Sequence, residues 1–375
     1  MKVFGTFFLV LCACSPSPRD TASSTPPVMP TAGPAGQVNV ADANLERYQR
    51  IVRNVADCPL EGYQIVPTCP GMHELAAGIS GVPVDVRAEL GRSMISHASP
   101  AVRVKAAELM NVAHGVGPSP ESQNAIAEAA GREKHPGVLR AFIRVIADKG
   151  AENPKVGAVL LAAADHADKS VRLQAVYALT SQANRGLADG STKLARLAEK
   201  DPDAKVRTTA CEYAGKLGGD DLLPLYEKLT ASAADPDLYA ACMEGLVRMF
   251  HNQPVLDTAN EKAYRLFLAR LAKSPRSEQS PPWSVMSTFC YYSHGGDETR
   301  LADWKKRAPW FDANEVKRVM TSVISDKATS WMARAAAIES MVGLGATKPE
   351  LEALREHIDP KDKSTLDKLV SAISN

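Results

Sequence analysis

The stretch DPDAKVRTTACEYAGKLG, residues 201–218, decides the fold. An Asp-Pro turn comes first, a Val-Arg pair follows, and small or apolar residues then recur at helical spacing. The residues that share one helical face at this spacing are Val206, Ala210, Ala214 and Leu217. Asp201 is expected to cap the free N–H groups of this helix, since a proline follows it and suits a first helical turn. The stretch therefore predicts an amphipathic helix with a closely packed face.

The same pattern recurs along the chain. Further copies begin at Ser99, His135, Asp168 and Asp235, and Ser99 is expected to act as a cap like Asp201. Successive repeats place Arg103, Leu139, Arg172, Arg207 and Tyr239 at one matching position, with steps of 36, 33, 35 and 32 residues. A period of this size is typical of helical solenoids. Each period holds two helices, because a periodic stretch such as STKLARLAEK (residues 191–200) precedes each Val-Arg helix, which we call the second helix of its repeat.

The arginines at the matching position follow the turn between the two helices. There each can pair with an aspartate or a carbonyl group of the adjacent repeat, so we interpret Arg103, Arg172 and Arg207 as a ladder between repeats. A row of ligand-binding arginines is the alternative. The small residues Ala106, Ala175 and Ala210 allow neighbouring helices to approach closely.

Two stretches resemble HEAT-like repeats, especially the short variety named after phycobilisome lyases. They are ACEYAGKLGGDDLLPLYEKL (residues 210–229) and AAAIESMVGLGATKPELEAL (residues 335–354), where Arg334 takes the arginine position. The resemblance implies an all-α fold, a right-handed alpha-alpha superhelix of paired helices with an extended concave surface. By the family's name it also implies a lyase or chaperone-like activity on a tetrapyrrole.

The N-terminus resembles a bacterial lipoprotein signal. VFGTFFLVL, residues 3–11, is apolar but too short to span a bilayer, which takes roughly 20 helical residues. LCAC overlaps its end, and the likeness to a lipobox implies recognition through Leu11 and Ala13 and a lipid on Cys14 after removal of residues 1–13. An ordinary secretory signal is the alternative, and both predict export.

Composition divides the remaining chain. Residues 14–40 are rich in Pro, Ser, Thr, Ala and Gly, which predicts a disordered tether because few apolar side chains can offset chain entropy. The predicted order thereafter is an N-terminal helical cap (41–83), HEAT-like repeats (84–250), divergent aromatic-rich helical repeats (251–329), and a C-terminal HEAT-like repeat with its cap (330–375).

Cysteines at the ends of CPLEGYQIVPTC predict a disulfide between Cys58 and Cys69, because exported proteins oxidise such pairs. The bond would secure the cap and stabilise it by roughly 3 kcal/mol in the chain-entropy description. A metal site that adds His73 is the weaker interpretation.

The cysteines of the repeats are expected to be buried free thiols. Cys211 and Cys242 lie on successive second helices, whose axes are typically about 8–10 Å apart. A disulfide requires Cα atoms within about 7 Å. Cys290 is also expected to be a core thiol, and a nucleophile is not predicted because only His294 lies near it in sequence.

Residues 281–311 are unusually aromatic, and the four tryptophans of the chain lie between Trp283 and Trp331. A divergent repeat with larger core side chains is one interpretation. The other is a binding patch, since Trp and Tyr are favoured as interface anchors. The candidate patch residues are Trp283, Tyr291, Tyr292, Trp304 and Trp310.

The sequence contains few residues or motifs that indicate a catalytic, phosphate-binding or nucleic-acid-binding site. The formal net charge of +1 disfavours a nucleic-acid surface, and the chain has no HExxH, GxSxG or phosphate-binding glycine motif. We therefore predict no catalytic residue, metal or cofactor.

The expected protein is a monomeric, non-enzymatic, lipid-anchored scaffold on the periplasmic or outer side of a bacterial membrane. Its repeat surface would bind an unknown protein partner of the cell envelope. The alternatives are the tetrapyrrole activity and a glycan- or peptidoglycan-binding lipoprotein that uses residues 283–311.

Overall fold

The computed structural model describes residues 42–111, 117–251, 260–273, 306, 308–358, 363 and 367. Over these residues the chain is all-α apart from one short antiparallel hairpin. It forms two compact units, one ending at Leu229 and the other beginning at Thr230. The predicted signal (1–13), the tether (14–40) with Cys14, and Cys290 lie outside the described residues.

The first unit contains the hairpin and eleven helices among its described residues. They are α1 (Asp42–Arg53), β1 (Leu60–Glu61), β2 (Gln64–Ile65), α2 (Pro70–Ile79), α3 (Val84–Met94), α4 (Pro100–Met110), α5 (Pro120–Ala130), α6 (Pro136–Val145), α7 (Pro154–Ala163), α8 (Lys169–Leu179), α9 (Gly190–Lys200), α10 (Ala204–Ala214) and α11 (Leu223–Leu229). Short 3-10 turns cover Gln182–Asn184, Gly215–Leu217 and Asp220–Leu222.

The second unit holds five helices among its described residues. They are α12 (Pro236–His251), α13 (Glu261–Leu271), α14 (Ala313–Ser325), α15 (Trp331–Gly343) and α16 (Lys348–Glu352), followed by a 3-10 turn at Ala353–His357. Neighbouring helices pack as pairs, α12 with α13 and α14 with α15.

The repeats of the first unit form two layers. The second helices α4, α6, α8 and α10 pack side by side, and the first helices α3, α5 and α7 form the other layer. Residues predicted to face the core are buried, namely Ala106, Ala175, Val206, Ala210, Ala214 and Leu217. The small side chains of the second helices thus lie where the helices meet, and a HEAT-like helical repeat fold results.

Helix α10 begins two residues later than the sequence argument assumed. Its cap is Asp203, whose carboxylate accepts hydrogen bonds from the N–H groups of Lys205 and Val206 at 3.0 and 3.2 Å. The prediction that Asp201 is the cap was wrong, since Pro202 lies in the turn before the helix. Ser99 does occupy the cap position of α4, but its hydroxyl instead donates to the Ala56 carbonyl oxygen at 2.7 Å.

Within the described ranges, no helix combines the length and the hydropathy that crossing a bilayer requires.

Candidate functional site: the exposed face of the second helices

The layer of second helices is held together by the predicted ladder arginines. Arg103 donates to both carboxylate oxygens of Glu133, at 2.7 and 3.0 Å. Its third nitrogen donates to the carbonyl oxygens of His97 and Ala98, both at 2.8 Å. One guanidinium therefore ties the turn of its own repeat to the turn of the next repeat.

The contacts of Arg172 reproduce this geometry. The guanidinium donates to both oxygens of Asp201 at 2.7 and 2.8 Å, and to the carbonyl oxygens of His166 and Ala167 at 2.9 and 2.8 Å. The hydrogen bonds that Arg172 donates to Asp201 raise the pKa of this guanidinium above its ordinary value. Asp201 is thus the acceptor of the ladder, which explains an acidic residue at a position that does not cap the helix.

The intervening repeat has neither half of this pair. Leu139 replaces the arginine, and the acceptor position in the following turn is His166, whose Nδ1 accepts a hydrogen bond from the Asp168 N–H at 2.9 Å. Arginine and acceptor carboxylate are therefore present together or absent together in these three repeats. Arg207 and Arg334 also bind turn carbonyls, Arg207 that of Asp201 at 3.0 Å and Arg334 those of Asp326 and Lys327.

The pKa of Glu133 reflects two opposing effects. Burial raises it, but hydrogen bonds from Arg103 and from the N–H groups of His135 and Lys134 outweigh burial and hold the pKa of this carboxyl below its ordinary value. The carboxylate is therefore charged at neutral pH and stays paired with the arginine.

The opposite side of each second helix is accessible. Five positions after the ladder position, the repeats place Glu108, Arg144, Tyr177 and Glu212, none of which is buried. We call the surface formed by these four residues, together with Arg140, Tyr213 and Lys216, the second-helix face. It lies on one unit of the chain, on α4, α6, α8 and the region of α10.

Two tyrosines of the second-helix face meet between α8 and α10. The rings of Tyr177 and Tyr213 meet edge to face, with centroids 5.2 Å apart and planes at 80°. Lys216 Nζ lies 4.3 Å from the centroid of the Tyr213 ring. Burial, then Tyr213 and the carboxylate of Glu212, raise the pKa of Tyr177, so its phenol stays neutral at physiological pH. Even so, Tyr177 is 40% exposed.

The N-terminal hairpin contacts the second-helix face near its beginning. A disulfide joins Cys58 to Cys69 and closes the loop that contains β1 and β2, as the sequence predicts. The guanidinium carbons of Arg140 and Arg144 lie 4.8 and 5.2 Å from the ring centroid of Tyr63, which lies in the hairpin turn. The hairpin turn thus places an aromatic side chain on this face.

A glycine lets the hairpin approach α6 closely. A Cβ atom on Gly137 would lie 2.2 Å from the carbonyl oxygen of Gly62, which no side chain can tolerate without movement of the backbone. Gly62 itself has a φ of 65° in the hairpin turn, a conformation that favours glycine. Glycine at both Gly62 and Gly137 therefore allows the hairpin turn to pack directly against α6.

Cys211 and Cys242 are both disulfide-bonded and fully buried, so the expectation of free thiols was wrong. The typical spacing of helix axes, on which that expectation depends, is not the same as the separation of Cα atoms. Each Cα lies about 2.3 Å from its own helix axis, so residues on facing sides of two helices come several ångströms closer than the axes. The spacing of helix axes alone therefore could not establish that these thiols are free.

The predicted aromatic patch is described at one position. Trp283, Tyr291, Tyr292 and Trp304 lie outside the described residues. The ring of Trp310 is half-buried and packs against that of Tyr264, with centroids 4.8 Å apart. Tyr264 is itself fully buried and contacts Phe250 at 5.5 Å. Trp310 therefore contacts the hydrophobic core of the second unit.

Sequence reasoning missed Tyr63, Tyr177 and Tyr213. A signal was present, because the position five residues after the ladder position carries a charged or aromatic residue in each of the four repeats.

Among the described residues, no group of three or more His, Cys, Asp or Glu side chains could hold a metal ion. The second-helix face presents aromatic rings and charges of both signs.

Comparison with known proteins agrees with this architecture. The family model for HEAT repeats matches residues 157–247, which extend from α7 into α12. No curated protein matches the chain. HEAT repeats suggest a helical scaffold or a role in protein interaction. Residues 157–247 thus match HEAT repeats, and the part of the chain that the structure describes has an all-α, HEAT-like helical repeat fold.

Proposed function

We propose that this chain is a non-enzymatic, lipid-anchored scaffold of the bacterial cell envelope, and that its second-helix face binds a protein partner. The observation that carries the proposal is the contact of the exposed Tyr177 with the half-buried Tyr213, on a layer whose buried side is fixed by ladder arginines. Exposed tyrosines on a rigid surface contribute contact area at low entropic cost, which favours protein recognition.

Export and anchoring rest on separate features. The disulfides at Cys58, Cys69, Cys211 and Cys242 are of a kind that persists in oxidising compartments, which supports a location outside the cytoplasm. The lipobox-like LCAC supports lipidation of Cys14. The proposed protein is a monomer that needs no cofactor. Its tether would let the folded part bind partners at some distance from the membrane.

Crosslinking in intact cells tests the binding proposal. The full chain would be crosslinked in its native envelope, recovered, and its partners identified by mass spectrometry. The matched variant carries Arg144→Glu and Tyr177→Ser, two exposed positions whose change leaves the ladder intact. One or two proteins recovered with the native chain and lost with the variant would support the proposal. Equal recovery with both chains would refute the assignment to the second-helix face.

Lipidation has its own test. A Cys14→Ser variant should no longer incorporate labelled fatty acid and should leave the membrane fraction. Unchanged labelling and fractionation of this variant would refute the anchor without affecting the binding proposal.

A further inference from the structure

We infer that Arg140 and Arg144 of α6, which we call the α6 arginine pair, bind the carboxylate of an aspartate or glutamate side chain of the partner protein. This inference rests on the proposed function, because it names the chemistry by which the second-helix face recognises its partner.

The α6 arginine pair departs from the repeat pattern. Arg140 directly follows the ladder position, where the other three repeats place the uncharged residues Val104, Leu173 and Thr208. Arg144 lies one helical turn further on, on the same side of α6. Like charges at this spacing repel each other. Since the other repeats pack without such a pair, the repeat architecture does not require it, and two adjacent cations favour the binding of an anion.

The chain supplies little negative charge to the pair. Among the described residues, Arg140 has neither a hydrogen-bond acceptor nor an ion-pair partner, and its Nε is buried without an acceptor. Arg144 lies 3.6 Å from one carboxylate oxygen of Glu108, whose other oxygen lies 3.1 Å from Lys105. Within the same described ranges, Glu61 of the hairpin pairs with neither arginine. One carboxylate, itself shared with a lysine, therefore offsets the charge of two arginines.

The hairpin turn holds the pair in place without compensating its charge. The centroid of the Tyr63 ring lies 4.8 and 5.2 Å from the two guanidinium carbons. The turn is fixed by the disulfide that closes the loop and by the close approach of Gly62 to Gly137. The face of an aromatic ring attracts cations but carries no net charge. The guanidinium groups are therefore positioned before a ligand arrives, which lowers the entropic cost of binding.

A carboxylate is the anion with which this chain itself pairs its arginines. Arg103 binds Glu133 and Arg172 binds Asp201, each through two hydrogen bonds to the carboxylate. The planar fork of a guanidinium matches a carboxylate in this way. In the α6 arginine pair, the side chain of Arg144 is 47% exposed and that of its neighbour is partly exposed, so a side chain from outside can reach both. On a face proposed to bind a protein, this carboxylate comes from an acidic residue of the partner.

Peptide display on the full chain tests the inference. Random short peptides would be selected at physiological ionic strength on the native chain and on the double variant Arg140→Gln, Arg144→Gln. Arg50→Gln is the control, because it removes an exposed arginine of α1. Aspartate or glutamate should be enriched several-fold with the native chain and with the control. The enrichment should fall with Arg144→Gln alone, a change at an exposed position, and disappear with the double variant.

Synthetic copies of the selected peptides give the quantitative test by calorimetry. Replacing the acidic residue by its amide keeps its shape and removes its charge. Binding should then weaken by at least about tenfold, as expected for the loss of a hydrogen bond to a charged group. Exchanging the charges, with lysine in the peptide and Arg144→Glu in the chain, should restore part of the affinity.

Peptides without acidic residues, or affinities that neither the amide nor the double variant changes, would overturn the inference. Binding to phosphatidylglycerol vesicles that the double variant abolishes, with no acidic peptide selected, would overturn it too, because the pair would then recognise a lipid headgroup. If crosslinking in cells still captures a partner at this face, the proposed function stands and only the carboxylate assignment fails.

Discussion

Arg172 donates two hydrogen bonds to the carboxylate of Asp201, at 2.7 and 2.8 Å, and joins two successive repeats. The side chains are only 10% and 2% exposed. Arg103 and Glu133 form the same contact between an earlier pair of repeats. The buried side of the second-helix layer is therefore fixed by paired charges, and the opposite side is left available for recognition.

Removing one partner of this pair should destabilise the first unit strongly. Arg172→Ala leaves the Asp201 carboxylate buried without its counter-charge, and such changes cost about 3–5 kcal/mol of unfolding free energy. Urea unfolding followed by circular dichroism measures the loss. The matched control is Lys169→Ala, which breaks the nearby pair of Lys169 and Asp203 at 2.9 Å. Because Lys169 is 70% exposed there, little change is expected. Similar losses for both variants would contradict the ladder.

Asn184→Ala should also destabilise the first unit, because this buried amide satisfies four backbone groups. Its oxygen accepts from the N–H groups of Gly150 and Ala151, and its nitrogen donates to the carbonyl oxygens of Ala147 and Ala178. Unpaired buried backbone groups cost about 1–3 kcal/mol each, so a loss of at least about 2 kcal/mol is expected. Thermal unfolding compares it with Gln182→Ala, an exposed neighbour that should behave like the native chain.

Gly137→Ala should displace the hairpin. The added Cβ would lie 2.2 Å from the Gly62 carbonyl oxygen, so the backbone must separate. Hydrogen exchange of residues 58–69 should accelerate, while α8 and α10 keep their protection. Gly131→Ala is the control, because its Cβ would meet no atom closer than 3.6 Å. Slow exchange of the hairpin in Gly137→Ala would show that it does not dock on α6 as described.

The stability of the first unit should fall in acid partly through Glu133. The pKa of this carboxyl is lowered in the folded state, so its contribution to stability is present above the ordinary value of about 4.5. The contribution is lost as pH falls from that value through the folded pKa. Glu133→Gln should therefore be less stable at neutral pH and show a smaller acid-induced loss. Unfolding free energies measured from pH 7 downward test this, and an unchanged acid slope would contradict the charged pair.

The repeat architecture could be predicted because it follows from local spacing. The number of residues between ladder positions is nearly constant, and the small residues Ala106, Ala175 and Ala210 recur at the same interval. The buried face of each second helix could therefore be predicted from the sequence. The acceptor carboxylates were harder to assign. Asp201 and Asp203 stand two residues apart in one turn, and composition does not say which caps the helix and which receives the arginine.

The candidate site depends on tertiary packing that the sequence encodes only indirectly. Tyr177 and Tyr213 belong to different repeats, and their contact requires the register of α8 against α10. Tyr63 lies in a hairpin that the sequence suggested only as a closed loop, and its arginine partners are on α6. That Cys211 and Cys242 are disulfide-bonded could not be predicted from the typical spacing of helix axes. Surfaces of this kind become visible once the helices are placed.

Site-specific photo-crosslinking in living cells tests the central claim most directly. A photoreactive phenylalanine would replace Tyr177 in one chain and Ala158, an exposed residue on the first-helix layer, in another. The account predicts a light-dependent adduct with a discrete envelope protein from position 177 and none from position 158. An adduct from both positions, or from position 158 alone, would contradict binding through the second-helix face, as would the absence of any adduct at position 177.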